Sequence, residues 1–299
     1  MDTIDERSVT IQPLHKDWYG SKIAAVDMLR LDLVHSVVSG NKWYKLRLNI
    51  HEAVERGYKA ILTFGGGYSN HLVATAFAAK LHGLKSIGIV RGRHDELTPT
   101  LQQCIGYGME LIFVTHDDYK NKDQPDWART LVSHFDELLI IPEGGANGWG
   151  RKGAGLITRF ISPGYTHVVL SVGTGTTFAG IRNNLPTYQQ MLGFVPMKQG
   201  TYLSEHINPY LSTDANRNWQ LTDDWHFGGF GKWNESLLLF MNGFYQMNNI
   251  PLDIIYTSKM MYGLQQMIAN DSFNAADRIL CIHSGGLQGN SSVAKWLNY

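Results

Sequence analysis

Short apolar runs rich in Val, Ile and Leu recur along the chain at residues 60–64, 86–90, 111–114, 138–141, 167–172 and 279–283. They show little apolar–polar alternation, which marks strands buried on both faces. Between most of them lie stretches of helical character, at 71–82, 98–107, 125–136 and 149–161. Strands covered on both sides and alternating with helices point to parallel sheets wrapped by helices. Residues 23–33 suggest one more strand, and two later helices are expected at 233–246 and 258–268. Residues 1–20 carry no clear periodicity. The region 197–231 mixes Pro, Asn, Asp, Trp and Gly without a period and is expected to be a long, partly irregular excursion. In compact domains such segments are usually functional or flexible.

The bulk composition narrows the class. Of 299 residues 43% are hydrophobic and 17% charged. The charged share lies below the roughly 25% of ordinary soluble domains and fits a large buried core. Lys+Arg and Asp+Glu both number 26 and no basic run exists, which argues against a nucleic-acid partner. There is no apolar stretch of about 18 residues and no charged-then-apolar leader, so a soluble, untargeted, cytoplasmic protein without membrane contact is expected. Cys104 and Cys281 sit far apart in apolar segments and read as buried free thiols of a reducing compartment.

Several stretches carry chemistry. Residues 39–46 read Ser-Gly-Asn-Lys-Trp-Tyr-Lys-Leu and open a run whose apolar positions Trp43, Leu46, Ile50, Ala53 and Val54 recur at helical spacing. A lysine at a glycine-flexed helix entrance, here Lys42, is open to close approach by a ligand. Desolvation there lowers the pKa of its amine and makes it a nucleophile toward an aldehyde. A solvated lysine of a first turn is the plainer alternative. Residues 64–71 read Phe-Gly-Gly-Gly-Tyr-Ser-Asn-His between a strand and an Ala-rich helix. Ser69, Asn70 and His71 then crown a helix start, either as a simple N-cap or as a site for an anion such as a substrate carboxylate. The Gly-x-Ser-x-Gly elbow of serine hydrolases fails, because His71 replaces the last glycine. Gly173, Thr174, Gly175, Thr176 and Thr177 follow a strand and suit a phosphate monoester, with amides and hydroxyls as donors. The loop matches neither the Walker pattern nor the dinucleotide fingerprint, whose third glycine position holds Phe178. Tyr256 reads as a core aromatic or a stacking and proton-handling group, and Thr257 as an N-cap or a hydroxyl partner for a heterocycle nitrogen.

Taken together, these motifs resemble the D-cysteine desulfhydrase and 1-aminocyclopropane-1-carboxylate deaminase family of fold-type II pyridoxal phosphate enzymes. The matching stretches are residues 39–46, 64–71 and 172–177, Tyr256-Thr257 and His283-Ser-Gly-Gly286; they run in family order between about Met28 and Gly286. The resemblance implies two three-layer α/β domains with mostly parallel sheets, as in the tryptophan synthase β type. Residues 1–43 and 153–299 would form the large cofactor-binding domain and residues 44–152 a small substrate-side domain. It implies that Lys42 holds pyridoxal 5'-phosphate as a Schiff base and moves the substrate α-proton. Gly173, Thr174, Gly175, Thr176 and Thr177 would bind the phosphate, Ser69, Asn70 and His71 the substrate carboxylate, with Asn70 also near the cofactor. Ser69 would lie close to the reacting carbon, Tyr256 beside the ring and Thr257 at the pyridine nitrogen. No metal is expected, and a homodimer is. Two positions depart from the family pattern: Ser258 replaces a glycine, and Phe230, before Gly231, replaces a second active-site tyrosine.

Position 257 separates the branches. A carboxylate there would keep the pyridine nitrogen protonated and the ring a strong electron sink, as the cyclopropane-opening branch requires. Thr257 and His71 resemble the desulfhydrase branch, so α,β-elimination from a small amino acid, D-cysteine or a relative, is the expected reaction. The deamination of 1-aminocyclopropane-1-carboxylate and a non-catalytic cofactor- or amino-acid-binding role stand as alternatives.

Overall fold

Apolar runs without alternation lie where a sheet has helices on both sides, and the computed structural model, which describes residues 4–133 and 137–299, places them so. The strands are β1 (Ile11–Pro13), β2 (Ala25–Arg30), β3 (Ala60–Gly66), β4 (Lys85–Arg91), β5 (Met109–Val114), β6 (Leu138–Ile140), β7 (His167–Ser171), β8 (Gln190–Phe194), β9 (Trp219–Thr222) and β10 (Arg278–His283). The helices are α1 (Lys16–Tyr19), α2 (Asn41–Glu55), α3 (Asn70–Leu81), α4 (Pro99–Gly106), α5 (Pro125–Leu131), α6 (Gly148–Gly155), α7 (Thr176–Arg182), α8 (Leu203–Ile207), α9 (Glu235–Asn248) and α10 (Thr257–Ala269).

Two sheets result. One has the order β1-β2-β10-β7-β8-β9 and is parallel except for β1 against β2. The other, β5-β4-β3-β6, is parallel throughout. The larger sheet is buried on both faces. Tyr44, Phe178 and Ile181 pack on one, and Trp18, Phe244, Met260 and Leu264 on the other. Helix α2 serves both sheets: Tyr44 enters the core of the larger one, while Leu46, Ile50 and Ala53 pack with Ile61, Ala74 and Ala78 of the smaller. No helix among the described residues is long and apolar enough to cross a membrane.

The expected fold class is the one observed, with differences in detail. Strand β8 went unread because Gly193 interrupts a run of only five residues. The 197–231 region holds β9 and the short α8. The expected helix at 125–136 ends as α5 at Leu131, and residues 134–136 lie outside the described ones. The one at 149–161 divides into α6 and a 3-10 turn, Leu156–Phe160. In α6 the glycines serve close packing: a Cβ on Gly153 would lie 1.9 Å from the Tyr44 carbonyl of α2.

One backbone approach positions the start of α2. Gly40 has φ +63°, and a Cβ there would sit 1.9 Å from Ser284 O, just past β10. The Asn41 amide donates to the same carbonyl at 3.3 Å. Only glycine meets both demands, the left-handed φ and the missing Cβ. Gly40→Ala is therefore expected to lower unfolding free energy by about 1–3 kcal/mol, read as a shifted urea midpoint at constant slope. An unchanged midpoint would show that this contact does not hold α2 in place.

Candidate active site

Lys42 and Lys45 stand one turn apart on α2, and both project into the space between the two sheets' loops. Lys42 Nζ donates to Asn41 Oδ1 at 2.7 Å and lies 5.8 Å from the centroid of the Tyr256 ring. Burial lowers its pKa to about 8, against the opposing pull of the Asp253 charge. Lys45 is 5% exposed, and burial, helped by the Lys42 charge, lowers its pKa to about 7. Ion pairs are seen for lysines such as Lys22, Lys120 and Lys122, and none is described for Lys42 or Lys45. Lys45 is a further candidate residue, to which the sequence assigned no role. Its i+3 spacing from Lys42, which places both on one helix face, was the available signal.

The glycine loop after β7 meets this pair. Gly175 has φ +77° and turns the chain into α7, Thr174 and Thr176 share a hydroxyl–hydroxyl bond of 2.9 Å, and Asn41 Nδ2 donates to Thr177 Oγ1 at 2.8 Å. Gly173 backs onto the Tyr256 ring, its Cβ position 3.5 Å from the phenol oxygen. A second glycine turn closes the other side. The Cβ position of Gly144 is 2.9 Å from Thr174 Cγ2 and 3.8 Å from Lys45 Nζ, and that of Gly145 is 3.6 Å from His71 Cε1. The structure thus brings together Lys42, Lys45, the residue 173–177 loop, His71 and Tyr256.

At the start of α3, Ser69 is the N-cap. Its Oγ accepts from the Leu72 amide at 3.3 Å and its carbonyl from the Val73 amide at 3.4 Å. The two preceding amides, of Asn70 and His71, are the helix donors left to a ligand. Thr63 Oγ1 donates to Ile141 O at 2.8 Å and so must accept from His71 Nε2, 3.0 Å away. His71 is thereby held with its proton on Nε2, and its buried Nδ1 is an acceptor with no partner. Burial and the nearby charges of Lys45 and Lys42 push its pKa far below the usual histidine range, so the ring is neutral. The buried Asn70 Oδ1 also lacks a partner. In this loop the amides therefore supply the donors for an anion and the His71 ring supplies an acceptor.

No family profile matches the chain. A provisionally named 1-aminocyclopropane-1-carboxylate deaminase of Thermotoga maritima is 26% identical over 278 residues, covering 87% of this chain and 88% of that protein. A D-cysteine desulfhydrase of Salmonella newport is 24% identical over 299 aligned residues, covering 92% and 89%. Among solved structures an ACC deaminase homologue superposes with a TM-score of 0.82 at 23% identity, over 99% of this chain and 96% of that one. The chain fits the D-cysteine desulfhydrase and 1-aminocyclopropane-1-carboxylate deaminase family.

The family's Tyr-Thr motif lies at the start of α10, and a buried carboxylate organises it. Asp253 Oδ1 accepts from the amides of Ile255 and Tyr256, at 3.0 and 2.7 Å. Its Oδ2 accepts from the Thr257 amide at 2.8 Å and from Thr257 Oγ1 at 2.5 Å. The Asp253 amide donates back to Thr257 Oγ1 at 2.9 Å. Thr257 is fully buried, its proton is given to Asp253, and one oxygen lone pair remains. The Tyr256 hydroxyl is pushed up by burial and by the charges of Asp253 and Glu143, so it stays protonated. Asp253 was not singled out in the sequence, although an Asp three and four residues before the motif is the pattern of a side chain capping its own turn. Ser258, in place of the family glycine, lies in the first turn of α10 at helical φ; the departure costs no backbone strain, and its buried hydroxyl has no partner. Phe230 does stand near the site, its ring centroid 6.0 Å from that of Tyr256.

A buried base whose pKa is lowered leaves a mark on stability. In cofactor-free protein Lys45 titrates from about 7 when folded to 10.5 when unfolded. Between these values the unfolded chain binds more protons, so stability rises with pH across that window. Lys45→Met should flatten the rise and match or exceed wild-type stability at about pH 7, as urea unfolding at about pH 7 and about pH 9 will read. Parallel pH profiles of the two proteins would show that the Lys45 amine is solvated.

Proposed function

We propose that this chain is a pyridoxal phosphate-dependent lyase that eliminates the β-substituent of a small amino acid, with D-cysteine giving pyruvate, ammonia and sulfide. The observation that carries this reading is the pair of desolvated lysine amines, Lys45 buried and Lys42 half-buried, one turn apart beside a hydroxyl-rich glycine loop. The residues fit the cofactor. Lys45 is a buried amine outside any described ion pair and borders the same Gly144 turn as Thr174, as a phosphate dianion would need. Lys42 would hold the cofactor's aldehyde carbon; Lys45 and the Gly173, Thr174, Gly175, Thr176 and Thr177 loop would hold its phosphate. Tyr256, Thr257 and Asn70 would flank its ring. Bound there, the cofactor supplies an electrophilic carbon for the substrate amine and a ring that spreads the charge left at Cα.

The chain's own groups do the rest. Lys42 Nζ, with a pKa of about 8, is partly neutral near neutral pH and takes the proton from Cα. The Asn70 and His71 amides orient the substrate carboxylate at the start of α3. Ser69 Oγ accepts from Leu72, which leaves its own proton to give to the reacting end of the substrate. Thr257 is neutral, and the Asp253 charge stands one hydroxyl behind it. A neutral group in place of a carboxylate makes the ring a weaker electron sink. Elimination tolerates this, because a thiolate leaves Cβ as the α-proton is removed and little charge accumulates. Opening a cyclopropane has no comparable leaving group.

Purified protein supplied with pyridoxal phosphate is therefore expected to release pyruvate and sulfide in equal amounts from D-cysteine. It should release little 2-oxobutyrate from 1-aminocyclopropane-1-carboxylate. Efficient turnover of the cyclopropane acid, with none of D-cysteine, would reverse the substrate assignment.

A further inference from the structure

Lys259, two residues beyond Thr257 on α10, is 2% exposed. Its Nζ donates to two backbone carbonyls of one loop, His226 O at 2.8 Å and Gly229 O at 2.9 Å. That loop is conformationally unusual. Phe227, Gly228, Gly229 and Gly231 have φ of 52°, 93°, 121° and 69°. Local bonds tighten it: the Gly228 amide donates to His226 Nδ1 at 2.9 Å, the Gly229 amide to His226 O at 3.0 Å and the Lys232 amide to Gly229 O at 3.1 Å. Its entrance is fastened to α10 by packing. The Phe227 and Tyr262 rings meet edge to face at 5.0 Å, and Trp225 lies over Gly263, whose Cβ position is 2.7 Å from the indole. Phe230, at the far end, is 53% exposed and has its ring beside Tyr256, the tyrosine that faces Lys42.

We infer that Lys259 is a positioning residue that pins this glycine loop to α10 so that Phe230 stands as an apolar wall on the substrate side of Tyr256. The inference rests on the reading of the Lys42 site given above. Phe227 is held at a φ unfavourable to a side chain and three glycines lose backbone freedom on being ordered, while local bonds alone leave the loop free to swing as a unit. Two charge-assisted bonds from a buried ammonium to carbonyls three residues apart fix both position and curvature. Burial lowers the Lys259 pKa to about 8 while the Asp253 charge opposes it, so the amine keeps donors for both carbonyls. Asp253, which shapes the Tyr256–Thr257 turn, thus also acts on the pin of the loop opposite, and the two sides of the site are set from one short segment, residues 253–259, that leads into α10.

The test is a double-mutant cycle on the cofactor-loaded protein with Lys259→Gln, which keeps one donor group but no charge, and Phe230→Ala. Each single change is expected to lower kcat/KM for the eliminated substrate by on the order of tenfold to a hundredfold, while the visible cofactor band is retained. The double variant should be no worse than the weaker single, because both lose the same wall. Hydrogen exchange of the 227–232 amides should accelerate in Lys259→Gln and stay as in wild type in Phe230→Ala. Independent, multiplying effects on kcat/KM would overturn the inference, as would unchanged exchange in Lys259→Gln. Loss of the cofactor band in Lys259→Gln alone would also overturn it, by assigning the lysine to the cofactor. Absence of any cofactor band in wild type would instead remove the reading of the site, and the exchange comparison would still decide whether Lys259 pins the loop.

Discussion

Two amines within one turn of a helix, Lys45 buried and Lys42 half-buried, and neither in a described ion pair, are a demand that the surrounding protein has to meet. Taking such a group out of water costs several kcal/mol even after relaxation. Lys42 and Lys45 show this cost as lowered pKa values of about 8 and about 7, with burial the leading cause in both. A site that holds amines in this state favours the neutral, nucleophilic form of one and an anionic neighbour for the other. That pairing of needs is what an aldehyde carrying a phosphate satisfies.

The fold is arranged to impose this burial. Helix α2 begins where Gly40 lies against Ser284 at the end of β10, and its two sides enter the cores of different sheets. The amines therefore emerge where the loops of both sheets converge: residues 173–177 from one, the Gly144–Gly145 turn and the start of α3 from the other. Ligands of parallel sheets bind beyond the strand C-termini for the same reason. Across the cleft Asp253 spends its carboxylate on the 255–257 turn and at the same time supplies the negative charge felt by Lys42, Lys259 and Tyr256.

Much of this was legible in the sequence where a local rule carries the information. Unalternating apolar runs gave six of the strands and the apolar positions of residues 23–33 a seventh, and the glycine-flanked Lys42, the Ser69 cap and the Thr-rich loop each declared a backbone geometry by composition. Strands β1, β8 and β9 are three to five residues long, or broken by glycine, and their pairing is decided by the sheet they complete. Lys45, Asp253 and Lys259 were given no role for another reason. A charged residue in a sequence reads as solvated, and only tertiary packing reveals that it is buried and which carbonyls or amides it meets. The acceptor character of His71 likewise depends on Thr63 and Ile141, partners brought together by β3 and the chain after β6.

The central claim, that Lys42 is the amine that carries the cofactor and Lys45 the cation beside it, is open to one direct measurement. The protein is incubated with pyridoxal phosphate, reduced with borohydride, digested and mapped by mass spectrometry. A single pyridoxyl label on Lys42 is the expected result, with Lys45 unmodified. A label on Lys45, or no label on either, would contradict the assignment of the two amines on which the site is built.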